Sequence, residues 1–116
     1  MRSLEPMAYD LALADEIRSV LDGEPEITER RMFGGLSFLV NGNLAVAVRG
    51  SAGILVRVGA DAAAELERTT AATRAVMGAR VMAGWLDVGI NSLGTEAELS
   101  AWVRRGVDHA RSLPPK

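Results

Sequence analysis

One segment limits the folds open to this chain more than any other: "GLSFLVNGNLAVAV", Gly35 to Val48, where large apolar side chains alternate on both sides of an Asn-Gly-Asn break. Side chains along a strand point to opposite faces in turn, so the length of the loop decides which residues meet. With Asn41-Gly42 alone as the turn, Phe38 faces Ala45 and the large residues of the two strands lie on opposite sides. With Asn41-Gly42-Asn43 as the loop, Val40 opposes Leu44, Phe38 opposes Val46 and Leu36 opposes Val48. The second pairing builds one apolar face and is the one expected; it asks Asn43 for a left-handed backbone, which Asn tolerates. "GSAG" turns the chain again, and Ile54, Val56 and Val58 extend the same face on a third antiparallel strand. Gly34-Gly35 ahead of the hairpin reads as a bend or bulge. A phosphate cradle is not indicated, since no lysine-bearing glycine loop is present and strand, not helix, follows the glycines.

Around this meander the periodicity changes. In "AYDLALADEIRSVLDG" Leu13, Ile17, Val20 and Leu21 share a helical face and Gly23 supplies the stop. "EPEITE" reads as a connecting loop. "ADAAAELERT" reads as a short helix opened by Asp61 and offering Leu66 to the core. Residues 69–83 fit either loop or a brief strand. In "GWLDVGI" Leu86, Val88 and Ile90 alternate with Trp85 and Asp87, a half-buried strand. Thr95 and Glu98 form a capping box for a last helix, with Leu99, Trp102, Val103, Val107 and Ala110 as its apolar stripe and Pro114 as its end.

These elements fit one domain over residues 1–116, with residues 1–8 and 114–116 expected as tails. A chain of this length hides roughly 65% of its unfolded surface, enough for a core without staples. The absence of cysteine excludes disulfides, thiolate catalysis and thiolate metal sites, and makes a cytoplasmic location the simplest expectation. No apolar run approaches the ~18 residues of a membrane span, so no membrane partner is expected. A formal net charge of −2 with interspersed signs argues against nucleic-acid binding. The nearest basic cluster, Arg104, Arg105, His109, Arg111 and Lys116, reads as the favourable cationic end of a helix. All but one of the basic residues are arginine and alanine is abundant, as a GC-rich bacterial coding sequence produces.

Residues with reactive chemistry are few. His109 is the only histidine, and its neighbours one helical turn away, Arg105 and Leu113, supply no carboxylate to orient it. A histidine triad or histidine metal site is therefore hard to assemble, and no catalytic residue, metal or cofactor is expected. The second sheet face is more unusual. It is expected to carry Ser37, Ala45 and Ala47 with a candidate interaction set of Leu39, Arg49, Leu55, Arg57, Trp85 and Asp87. An open apolar face with an aromatic and arginines is typical of interaction surfaces, and a symmetric dimer would bury it. The alternative is that residues 69–83 fold across this face, or that Trp85 belongs to the core.

The order of helix, "RMFGGLSFLVNGNLAVAV" hairpin, third strand, short helix, "GARVMAGWLDV" and closing helix "ELSAWVRRGVDHARSLPP" resembles the TfoX N-terminal domain family, from about Tyr9 to Pro114. Met32-Phe33-Gly34-Gly35 and Gly84-Trp85 carry the resemblance most specifically. It implies a two-layer α+β fold, an antiparallel sheet of about four to five strands, the meander plus the later strand, packed with amino-terminal, middle and carboxyl-terminal helices. It also implies a regulatory association, because the family takes its name from bacterial regulators of DNA-uptake competence, and it brings no catalytic residues. The expected function is a non-enzymatic regulatory or adaptor domain acting through protein contacts with an unidentified partner. The alternative is a small-ligand-binding protein or enzyme with a pocket near Arg31, Phe33 and Arg80, where Gly34 and Gly35 would offer backbone N–H groups to an anion.

Overall fold

The structure, a computed structural model, describes residues 10–32, 35–49 and 53–116. The described residues form an α+β fold with one open antiparallel sheet of six strands and three α-helices. The chain runs α1 (Leu11–Val20), β1 (Ile27–Met32), β2 (Gly35–Val40), β3 (Asn43–Arg49), β4 (Gly53–Arg57), α2 (Ala60–Thr69), β5 (Thr73–Met77), β6 (Arg80–Gly89), a 3₁₀ turn (Ile90–Leu93) and α3 (Glu96–Ser112). The strand order is β1-β2-β3-β4-β6-β5. Six strands rather than four or five follow from β1, which grows out of the segment expected as a loop, and from β5, which settles the open reading of residues 69–83.

The β2–β3 hairpin reconciles both candidate registers. Its turn is the two residues Asn41 and Gly42, both left-handed at φ 53° and 82°, as the tight hairpin turn demands. Val40 therefore pairs with Asn43 and Leu39 with Leu44, not Val40 with Leu44 as the longer loop required. The register then shifts, leaving Ala45 without a partner of its own, and Phe38 meets Val46 and Leu36 meets Val48. One bulged residue restores the parity that a three-residue loop would have supplied. Asn43 is not left-handed; its Nδ2 donates to the Pro114 carbonyl at 2.9 Å. The carboxyl end, expected as a tail, is bonded there again through Lys116 N–H to the Asn41 carbonyl at 2.8 Å.

The three helices cover one face of the sheet. Phe38, Val46, Val56 and Leu86 meet Ile17 of α1 and Trp102, Val103 and Val107 of α3 in one core. Gly106 lets α3 lie directly on the bulge, for a Cβ there would stand 2.5 Å from the Ala45 carbonyl oxygen. The capping box opens α3 as its sequence predicts, with Glu98 N–H donating to Thr95 Oγ1 at 3.1 Å and Thr95 N–H to Glu98 Oε1 at 3.0 Å. α2 differs from expectation at its start: Gly59 occupies the cap position without a side-chain bond, and Asp61 lies in the first turn. Ile90 leaves the strand for the 3₁₀ turn and is 44% exposed.

Candidate functional site

β5 and β6 form a hairpin whose turn, Gly78-Ala79, uses a left-handed Gly78 at φ 63°. Near its base Arg74 pairs with Leu86, but the next residue, Ala75, pairs with Met82, so Ala83, Gly84 and Trp85 face no residue of β5. This large bulge turns the outer half of the hairpin out of the sheet. The Gly84 carbonyl accepts from Val58 and Gly59 N–H at 2.9 and 3.0 Å, which fixes the hinge against the end of β4. Arg49 Nη1 comes within 3.7 Å of Met77 Sδ although two strands lie between β3 and β5 in the sheet. Strands in a sheet are spaced about 4.8 Å apart, so such a contact needs the hairpin to bend across the face.

The outer face is therefore not open in the way the strand alternation alone implies. Leu55 and Ala47 are fully buried, clustered with Ala75 and packed by Met82 and Trp85. Leu39 is buried too, as is Ser37, whose Oγ has no hydrogen-bond partner among the described residues. Ala45, expected on this face, belongs instead to the inner core because of the bulge. The polar members of the set do gather at the edge of the covered region. Arg49 Nη2 lies 3.5 Å from Asp87 Oδ1, and the Arg57 guanidinium sits 5.7 Å from the Trp85 ring centroid. The chain thus covers its own apolar centre and presents the far side of the hairpin instead. There Val76 and Val81, cross-strand partners, are 48% and 61% exposed.

Neither valine was singled out from the sequence. The available signal was the symmetry of "VMGARVM", two apolar pairs around a glycine turn, together with the absence of any Asp or Glu from Thr69 to Leu86 in a chain of 15 acidic residues. A groove of about 530 Å³ runs beside the valine pair, lined by Met77, Arg80, Met82, Gly84 and Trp85 among others.

Of the residues expected around an anion or ligand pocket, Phe33 and Gly34 lie outside the described residues. Gly35 is enclosed in β2, where a Cβ would stand 1.9 Å from the Val48 carbonyl oxygen, so its identity follows from strand packing. Arg31 is exposed on β1 and Arg80 on β6, with three strands between them in the sheet order. Among the described residues Arg80 lines the groove and Arg31 does not.

The basic cluster near the carboxyl end is partly consumed by ion pairs. Arg104 Nη1 and Arg111 Nη2 hold the two oxygens of Glu24 at 2.6 and 2.9 Å, and Arg105 stacks 4.6 Å from the Trp102 ring centroid. The two arginines hold the Glu24 carboxyl below its ordinary range. His109 is half-buried over Gly59, where a Cβ would approach its ring to 2.9 Å. Burial, and then the charge of Arg57, push the imidazole pKa below its usual value. Among the described residues no group of three or more His, Asp or Glu is placed to hold a metal ion. No helix among them is long and apolar enough to cross a membrane.

No curated protein and no solved structure matches this chain. A family profile does, over residues 19–110, from the last two residues of α1 through the hairpins to the last turn of α3. By that match, which takes in most of its length, the chain belongs to the TfoX N-terminal domain family.

Proposed function

We propose that the domain is a non-enzymatic regulatory or adaptor module that acts through protein contacts. The observation that carries this reading is the β5–β6 hairpin, whose far side exposes the Val76–Val81 pair beside a groove of methionine and tryptophan side chains. Large apolar side chains exposed side by side on a strand pair are costly to leave in water, and their grouping is characteristic of contact surfaces. Membership of a family named for competence regulators supports a regulatory role.

The test is a Val76→Asp/Val81→Asp variant. Both side chains face solvent, so the thermal midpoint is expected to stay near that of wild type, whereas recovery of a partner from native cell extract is expected to be lost. A substrate screen supplies the opposing outcome: an activity that survives the valine changes and disappears in His109→Ala would overturn the non-enzymatic reading.

A further inference from the structure

We propose that β5 receives an extended, acidic peptide segment of a partner protein as an added seventh strand, its apolar side chains resting on Val76 and Val81. This rests on the adaptor reading and names the partner's chemistry.

The backbone supplies the first argument. In a two-residue hairpin the residues flanking the turn, here Met77 and Arg80, exchange hydrogen bonds, and the bonding alternates along the strands. Val76 N–H and C=O therefore point away from β6, toward the free edge of the last strand in the sheet. Arg74, two residues earlier, points the same way, but α2 already covers it: its N–H donates to Glu67 Oε2 at 3.3 Å and its Nη2 to Glu67 Oε1 at 3.1 Å. Among the described residues, only the outer half of β5 is left to pair. The opposite edge of the sheet differs, for β1 exposes Glu29, Arg30 and Arg31 in succession, the charged guard that discourages strand addition. Addition to an edge draws affinity from main-chain bonds and specificity from alternate side chains.

Charge selects the occupant. From Thr69 to Leu86 the chain has no acidic residue; Arg74 is taken up by Glu67, Arg80 lines the groove, and Arg57 adds a cation over the ring of Trp85, another lining residue. A second copy pairing edge to edge would bring together two hairpins of the same positive sign, which disfavours self-association. Nucleic acid would also satisfy cations, but it has no use for an unpaired strand edge or an exposed valine pair, and it calls for a longer basic stripe than this. A strand alternating carboxylates with branched apolar side chains meets all three features.

The experiment uses two labelled peptides of about eight residues, the usual reach of a strand, one alternating valine with glutamate and the other valine with lysine. Fluorescence anisotropy measures binding, and hydrogen exchange reads the Val76 amide. Wild type is expected to bind the glutamate peptide and slow Val76 exchange, and N-methylation of the peptide backbone should abolish both effects. Arg80→Glu, an exposed change that leaves the fold intact, should weaken the glutamate peptide about tenfold and strengthen the lysine peptide. Equal binding of both peptides, or preference for a mixed-sequence oligonucleotide, would overturn the proposal. So would sedimentation as a dimer with Val76 already protected. If neither peptide binds while Val76→Asp/Val81→Asp still loses its cellular partner, the strand-addition proposal fails and the adaptor reading stands.

Discussion

The β2–β3 turn shows how much of this domain hangs on single backbone conformations. Gly42 at φ 82° occupies a region that costs an L-residue about 1–2 kcal/mol, and a Cβ there would approach Lys116 to 2.8 Å. Gly42→Ala should lower stability by at least that backbone cost, measured by chemical denaturation. At Asn41, φ 53°, replacement by Gly should be nearly neutral and by Val clearly destabilising, because a β-branched residue is the worst choice for a left-handed site. The hairpin itself and the pairs Phe38–Val46 and Leu36–Val48 were legible in the sequence, since only one parity buries both strands on one face. The identity of the left-handed residue was not. A bulge placed after a short turn and a longer loop give the same outer pairs, and nothing in alternation distinguishes them.

At the scale of elements, legibility followed the burial of one face. α1 and α3 each bury one side, and their apolar stripes are read directly from spacing. β1 does not: four of its six residues, Thr28 to Arg31, are exposed, and its membership of the sheet comes from backbone pairing to β2 that no side-chain pattern announces. β5 is short and its partner strand is bulged by three residues, which erases period-two alternation in "VMAGWLD". The outer face of the sheet was left open between an exposed patch and cover by residues 69–83 for this reason, because alternation did not announce the hairpin that covers Leu55. Packing of α3 gives a prediction at this scale. Gly106→Ala gains about 1 kcal/mol of helix propensity but drives a methyl to 2.5 Å from the Ala45 carbonyl, and overpacking of that kind costs about 1–3 kcal/mol. The steric cost wins, so the denaturation midpoint should fall.

For the whole molecule, acid should act in two stages. His109 has a folded pKa below its ordinary 6.5, so the unfolded chain binds the proton more readily and stability falls as pH drops below that value. Glu24 and Glu29 are held below their ordinary 4.5, Glu24 by Arg104 and Arg111, Glu29 by the two-pronged contact of Arg18 at 2.7 and 2.8 Å. The stability they contribute is present above that value and is lost as pH falls through it. Thermal midpoints recorded from pH 7.5 downward should decline first below pH 6.5 and again below pH 4.5, the ordinary values of the shifted groups. His109→Gln should remove the first decline alone. Glu24→Gln should shrink the second and lower the midpoint at neutral pH, since the carboxylate ties α3 to the loop between α1 and β1.

The unpaired Ala45 also makes chain length, as distinct from residue identity, a variable this sheet can absorb. Shortening most buried strands by one residue turns half their side chains inside out. Removing Ala45 would instead leave Leu39 opposite Leu44 and Phe38 opposite Val46, with every cross-strand neighbour unchanged. What such a deletion takes away is the bend beneath α3 and the carbonyl that presses on Gly106. The shortened protein should therefore fold with a lowered thermal midpoint, and adding Gly106→Ala, harmful in the full-length chain, should raise it again by filling the space released.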